Sequence, residues 1–306
     1  MQRLEVVRSS PDETGDAWVV VLAGGDGRRL EAVARSRYGH PRPKQYCDFG
    51  CGHTLLGTTI ERARILVPDD RIVVVTTRTH RAFADECLAA YPHVRRVEQP
   101  SNLDTTPGIL LPLLHVIERN PEARVVLMPS DHSVERDHEF VAVVRDALDS
   151  LRRHWYDVLL LGAPARDAED GYGWILSFES KHEHWRRVAD FREKPPCTDL
   201  PALIAEGAVR NTFVIVASAS ELVALIAQHA PEWFDALGAA PTPEIIEHAY
   251  ATLPRSNFSS DVLEPSRYRL RVVPLGDVGW DDIGTPERLA RASVSHPAAQ
   301  MSMSMA

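Results

Sequence analysis

The first segment with the residue types for chemistry is Leu22-Ala23-Gly24-Gly25-Asp26-Gly27-Arg28-Arg29-Leu30, which follows an apolar run. Glycine tolerates φ > 0 and lets backbone N–H groups approach an anion, while the arginines add positive charge, so the segment reads as a phosphate loop. A tight strand-to-helix turn would need the same glycines. It is not a dinucleotide fingerprint, because Leu30 stands where G-x-G-x-x-G wants its third glycine, and it lacks the Walker lysine. Pro43-Lys44-Gln45 adds a further cation downstream. Asp131 directly follows an apolar run, the place where open α/β sheets bind ligands beyond the carboxyl ends of their strands. As a helix cap the same aspartate would serve structure alone. Glu193 and Lys194 are stopped by Pro195-Pro196, which fixes both side chains at a strand end; a surface ion pair is the alternative. Cys47, Cys51 and His53 cluster as C-x3-C-x-H, but Cys87 and Cys197 do not supply a paired spacing or a fourth ligand, so zinc is not expected.

The elements that must position these residues follow from hydrophobic periodicity. Apolar β-branched runs at Ala17 to Ala23, Ile72 to Thr77, Val125 to Met128 and Val158 to Gly162 lack polar alternation, as strands buried on both faces do. Between them, Leu55 to Leu66, His80 to Ala90, Pro107 to Glu118 and Glu139 to Leu151 have helical spacing. Strand then helix, repeated, predicts an α/β, Rossmann-like, mainly parallel sheet with helices on both faces. Beyond Gly162 strands are expected at Gly173 to Phe178, Arg187 to Phe191, Val209 to Ala217 and Arg269 to Val273, with helices at Leu200 to Glu206, Glu221 to His229, Pro243 to Thr252 and Pro286 to Ala292. One mixed domain over 17–292 is expected, with a first half at 17–163 and a substrate-binding half at 164–292. Residues 1–16 and 293–306 read as flexible tails.

Composition narrows the function classes. The 306 residues are 44% hydrophobic and 25% charged, which removes disordered, collagen-like and coiled-coil readings. Lys+Arg 34 against Asp+Glu 43 leaves −9, so there is no basic footprint for nucleic acid, and a polyphosphate must be held by a local cluster. No apolar run approaches the length of about 20 residues that spans a bilayer, so no membrane partner is expected. Four cysteines fit a reducing compartment, and the cytoplasm is the expected location.

Read together, the segment from Leu22 to Leu30 and Pro43-Lys44-Gln45 resemble the signature of the sugar-phosphate nucleotidyltransferases; the Pro-Lys-Gln form is similar to that of mannose-1-phosphate guanylyltransferases. Cytidylyltransferases of isoprenoid synthesis carry a comparable opening. Further segments resemble the guanylyltransferase pattern in order: Gln99-Pro100 with Thr105-Thr106-Pro107 (E-P-x-x-R-N-T-A-P), Met128-Pro129-Ser130-Asp131-His132 (L-P-x-D-H), and Gly171-Tyr172-Gly173-Trp174-Ile175 (G-Y-G-Y-I). Phe191-Arg192-Glu193-Lys194-Pro195 (F-x-E-K-P), Arg210-Asn211-Thr212 (W-N-S) and Gly279 to Gly284 (G-W-S-D-V-G) complete the set.

The resemblance implies the nucleotide-diphospho-sugar transferase fold and transfer of a nucleotidyl group from a nucleoside triphosphate, GTP by this likeness, to a sugar-1-phosphate, here mannose-1-phosphate. Pyrophosphate leaves, and Mg²⁺ is the cofactor. Carried over by motif, Leu22, Ala23, Gly24, Gly25, Gly27, Arg29, Lys44 and Thr106 bind the nucleotide, making 17–163 the nucleotide-binding half; Tyr172, Gly173, Glu193, Lys194 and Asn211 bind the sugar phosphate, making 164–292 the sugar-phosphate-binding half. Arg29, Lys44 and Lys194 are the catalytic cations, and Asp131 and Asp282 the metal ligands, with Asp281 either a turn residue or a competitor. His132 is assigned to packing alone. Asp104, Arg210 and Phe213 depart from the family's Asn, Trp and Gly, and Ser259 stands at its Asp. Those departures leave open another triphosphate and sugar phosphate, or a non-catalytic nucleotide-sugar-binding subunit. A homodimer is compatible with this reading, and no C-terminal isomerase domain is expected.

Overall fold

The computed structural model describes residues 15–27, 30–50, 52–152, 158–165, 167–169, 171–179, 184–286 and 288–289. Arg28, Arg29 and Cys51, nearly all of both expected tails, and most of the helix expected at Pro286 to Ala292 lie outside the described residues. Strands β1 (Ala17–Leu22), β2 (Ile72–Thr77), β3 (Arg95–Gln99) and β4 (Arg124–Pro129) are mutually parallel, in the order β3-β2-β1-β4. They begin one nine-stranded sheet, continued by β8 (Val209–Ser218), β5 (Val158–Pro164), β9 (Leu270–Pro274), β7 (Arg186–Glu193) and β6 (Gly173–Ser177). No boundary in the sheet separates the two halves of the chain, because β8, from the second half, pairs with both β4 and β5.

Continuous apolar runs mean that both faces of the central strands are covered. Val20, Val73 and Val125 point to one face, where they pack with α4 (Thr105–Arg119), α7 (Ala219–His229) and α9 (Pro243–Thr252). Val19, Val74 and Val126 point to the other, against α2 (Leu55–Arg64), α3 (Arg81–Leu88) and α5 (Asp137–Leu151). A smaller cluster joins Leu200 and Leu203 of α6 (Leu200–Ala205) to Trp174 of β6. Each fully buried Val, Leu or Ile contributes about 1.5–3 kcal/mol, so this two-sided burial is what holds the strands in register. Thr54 and Ser218 cap α2 and α7, accepting from Gly57 N and Glu221 N.

Some elements have no apolar pattern and are not predicted by periodicity. The edge strand β3 has the sequence Arg-Arg-Val-Glu-Gln, and its charges are paired instead of buried: Arg96 Nη2 reaches Glu98 Oε2 at 2.6 Å. Charge on an edge strand also discourages pairing with another chain. Helix α1 (Glu31–Tyr38), helix α8 (Pro231–Leu237) and a π-helical turn over Phe258–Leu263 are likewise unforeseen.

The sheet opens at β8. One side of β8 pairs with β5 along both ends, while the other pairs with β4 over Leu127↔Ile215 to Arg124↔Ser218 and with β6 only at Trp174↔Arg210 and Ile175↔Val209. Between those two partners, Phe213 takes φ 59 and the β5 register shifts between Leu160 and Gly162. The strand ends that β4 and β6 present here form the walls of a cavity.

Candidate functional site

That cavity, of about 420 Å³, is lined at its β1–β4 end by Leu22, Gly24, Gly25, Gly27 and Asp131, and at its β6–β8 end by Tyr172, Gly173, Glu193, Lys194 and Asn211; Asp282 also lines it. Sequence separations of more than a hundred residues therefore close into one site. Ala23, Lys44 and Thr106, expected at the nucleotide, do not line it. Ala23 is fully buried, and its carbonyl accepts from Gln45 Nε2 at 3.0 Å and Tyr46 Oη at 3.3 Å. Thr106 is fully buried in the first turn of α4; its N–H donates to the Ser256 carbonyl at 3.0 Å, and its hydroxyl accepts from Ser256 Oγ at 2.9 Å. The neighbouring Thr105 reaches the wall.

The turn after β1 is shaped by its contact with Lys44. Gly27 has φ 61, and a Cβ on it would lie 2.6 Å from the Lys44 backbone nitrogen, so only glycine fits that close approach. Gln45 holds the same turn by donating to the Gly25 carbonyl at 2.7 Å. Lys44 is buried, with its ammonium 3.2 Å from Asp131 Oδ2 and donating to the Asp282 carbonyl. One cation thus joins the carboxyl end of β4 to the turn that carries Asp282.

The two neighbouring aspartates separate cleanly. Asp281 pairs through its backbone with Ser133, and its Oδ1 accepts from Ile283 N at 2.7 Å, a turn role. Asp282 faces the cavity, and its Oδ1 accepts from Tyr172 Oη at 3.1 Å, from Gly284 N at 3.0 Å, and from Arg288 Nη1. Burial is the largest influence on both cavity aspartates and pushes their pKa values up. It is outweighed by Lys44 and then His132 beside Asp131, and by His132, Arg288 and Lys44 beside Asp282, so both carboxyls lie below the usual range and are ionised at neutral pH.

These carboxylates fit a hard divalent cation. Among the described residues no three His, Cys, Asp or Glu side chains form a closed cage. Two ionised carboxylates facing an open cavity leave the remaining positions to water and phosphate oxygens, the coordination Mg²⁺ favours.

On the far wall, Glu193 and Lys194 form an ion pair at 2.9 Å, and that pair sits at the cavity. Lys194 has φ 47 and its N–H donates to the Tyr172 carbonyl at 3.1 Å, which ties the end of β7 to the turn before β6. A Cβ at Gly173 would stand 2.8 Å from Glu193 Oε2 and 3.2 Å from Asn211 Cβ, so a larger residue there would have to displace the Glu193 carboxylate. Among the described residues the non-glycine positions with positive φ are Asp104, Lys194, Phe213 and Ile283. Three of them line the cavity and the fourth follows Asp282, so backbone strain is concentrated at the site.

Several cavity residues had no role in the sequence reading. His132, assigned there to packing, lines the cavity; its Nδ1 accepts from Trp280 Nε1 at 3.3 Å, and its Nε2 lies 3.6 Å from Asp131 Oδ1. Its place beside Asp131 was the available signal. Gln99 is buried at the end of β3, accepts from Tyr250 Oη at 2.9 Å, and lines the cavity. Asn257 and Ser259 also line it, presented by the π-helical turn.

The family model for nucleotidyl transferases matches residues 18–298. The alginate biosynthesis protein AlgA of Pseudomonas fluorescens is 27% identical over 87% of this chain and 56% of its own length. Mannose-1-phosphate guanylyltransferase 2 of Escherichia coli O157:H7 is 25% identical over 88% of this chain and 58% of its own. The chain therefore spans a little over half the length of these curated relatives. A solved structure from Thermus thermophilus described as mannose-1-phosphate geranyltransferase superposes with a TM-score of 0.80 at 28% identity, covering 92% of this chain and 80% of that one. UDP-glucose pyrophosphorylase complexed with UDP-glucose shares the fold, with a TM-score of 0.60 at 14% identity.

Proposed function

Because the match over residues 18–298 places this chain in the nucleotidyl transferase family, we propose that it transfers a nucleotidyl group from a nucleoside triphosphate to a sugar-1-phosphate. GTP and mannose-1-phosphate are the proposed pair, supported by the Pro43-Lys44-Gln45 and Ser130-Asp131-His132 segments and by the names of the relatives. The observation that carries the proposal is a single cavity containing the glycine turn after β1, the carboxylates of Asp131 and Asp282, and the Glu193–Lys194 pair. The free thiols of Cys47, Cys87 and Cys197 support a reducing location, for which we propose the cytoplasm.

In the proposed reaction an oxygen of the sugar phosphate attacks the α-phosphorus in line. A phosphorus–oxygen bond forms there as the bond from the α-phosphorus to the oxygen bridging the α- and β-phosphates breaks, and that oxygen leaves as a terminal oxygen of pyrophosphate. Gly24, Gly25 and Gly27 shape a turn whose backbone approaches the triphosphate closely, Arg29 neutralises its charge, Lys44 adds positive charge from behind Asp131, and Lys194 holds the sugar phosphate on the other wall. Glu193 and Asn211 accept and donate to sugar hydroxyls. Asp131 and Asp282 would hold Mg²⁺, which supplies neutralisation of phosphate charge when bound. No nucleophilic side chain is required, so the rate would rest on positioning and charge neutralisation.

Gln99 favours testing other bases as well, since it places a neutral amide at the cavity where the guanylyltransferase segment has Glu. A matrix of nucleoside triphosphates against sugar-1-phosphates, scored by pyrophosphate release with Mg²⁺, decides both points. GTP with mannose-1-phosphate should have the highest kcat/KM. A tenfold advantage for another pair would replace the substrates and keep the reaction, and silence across the matrix would reject the reaction.

A further inference from the structure

Tyr172 has two guanidinium groups near its ring, Arg210 Cζ at 4.5 Å and Arg288 Cζ at 4.7 Å from the centroid. Each arginine is buried, and each also grips an acidic residue just upstream in the segment that leads to the Gly171-Tyr172-Gly173 turn. Arg210 Nη2 donates to the Asp167 carbonyl at 2.9 Å and pairs with its carboxylate. Arg288 Nε donates to Glu169 Oε1 at 2.6 Å, while its Nη1 reaches Asp282 Oδ1, the oxygen to which Tyr172 also donates. A planar fork with several fixed donors can bridge two carboxylates in this way; an ammonium on a flexible stem cannot hold both in one orientation.

We infer that Arg288 is a positioning residue: it ties the sugar-side turn, through Glu169 and Tyr172, to the Asp282 carboxylate, so that sugar phosphate meets an already ordered wall. This rests on the proposed function, in which the sugar phosphate is held by Lys194, Glu193 and Asn211 on the wall that Tyr172 and Gly173 also line. Glu169 does not line the cavity, so a substrate effect of changing it must pass through the bridge.

The test compares Arg288→Lys and Glu169→Gln with the wild type by steady-state pyrophosphate release, and by amide hydrogen exchange over residues 172–175 in the free protein. Both variants should raise KM for the sugar phosphate by about five- to fiftyfold, the usual size of coupling between linked sites, while KM for the triphosphate stays within about twofold. Exchange over residues 172–175 should quicken in both. Equal rises in the two KM values, unchanged exchange, or wild-type behaviour of Arg288→Lys would overturn the inference. Should Arg288→Lys fail to fold, Glu169→Gln, altered at a partly exposed side chain, carries the test alone. A wild type that releases no pyrophosphate with any pair rejects the proposed function instead, and the exchange measurement still decides whether Arg288 holds the turn.

Discussion

Asp281 and Asp282 are adjacent and chemically alike, and only the turn that carries them gives them different work. Asp281 spends its Oδ1 on Ile283 N, whereas Asp282 faces the cavity with Asp131, each held as a carboxylate by nearby cations. If Asp131 and Asp282 share one Mg²⁺, removing either displaces it, and their substitutions cannot be additive. Asp131→Asn and Asp282→Asn should each lower kcat by about 10²–10³-fold, since a bound metal contributes several kcal/mol of charge stabilisation. The double variant should lose little more, and Asp281→Asn much less. Activity measured against magnesium concentration for the four variants checks this. Full additivity, or a larger loss from Asp281→Asn than from Asp282→Asn, would show that the ion is held elsewhere.

At the scale of elements, the cavity is framed by capped termini that depend on one another. Asp104, in a positive-φ conformation, caps α4 by accepting from Thr105 N at 2.8 Å, and it also accepts from Asn257 Nδ2 at 3.1 Å. Asn257 in turn caps the π-helical turn, its Oδ1 accepting from Ser259 N at 3.0 Å and Ser260 N at 3.2 Å. Losing a cap costs about 0.5–2 kcal/mol. Asn257→Ala removes one cap and the partner of the other, so urea unfolding should show a loss of about 1–2 kcal/mol. Both residues line the cavity, so triphosphate affinity should fall along with stability. A variant that loses stability while binding the triphosphate as tightly as the wild type would mean that this pair of caps serves the fold alone.

For the molecule as a whole, acid should weaken the fold before carboxylates begin to protonate. Burial holds the pKa of His80 below the usual histidine value, partly offset by Asp26, and burial followed by Arg119 does the same for His115. A lowered folded pKa means that the unfolded chain binds the proton more readily, so this stability is complete above about pH 6.5 and is lost as pH falls toward the folded value. The melting temperature should therefore drop by a few degrees, roughly 2–5 °C, between pH 7 and pH 5. His80→Gln with His115→Gln should flatten that part of the profile, measured by calorimetry in buffers of matched ionic strength. An unchanged slope in the double variant would place the proton uptake on other groups. A second loss should follow at lower pH, where Asp16, Glu98 and Asp261, all held below the usual carboxyl range, must protonate.

The central strands were legible in the sequence because burial on both faces demands uninterrupted apolar runs, and Ile72–Thr77 was placed to the residue. The glycine turn and the aspartate after β4 were legible because phosphate-binding turns and strand ends leave local signatures in residue type and spacing. Strand β3, in which Glu98 pairs with Arg81 and with Arg96 of the same strand, has no periodicity to read. Arg288 could not be found in this way, since its meaning lies in Glu169, Tyr172 and Asp282, brought beside it from other parts of the chain. Tertiary structure alone moved Thr106 from the expected nucleotide site into the core and brought His132, Gln99 and Asn257 to the cavity. The division has one physical cause: runs, turns and strand ends are constrained by neighbours in sequence, whereas a side chain's partner across the cavity is set only when the sheet parts at β8.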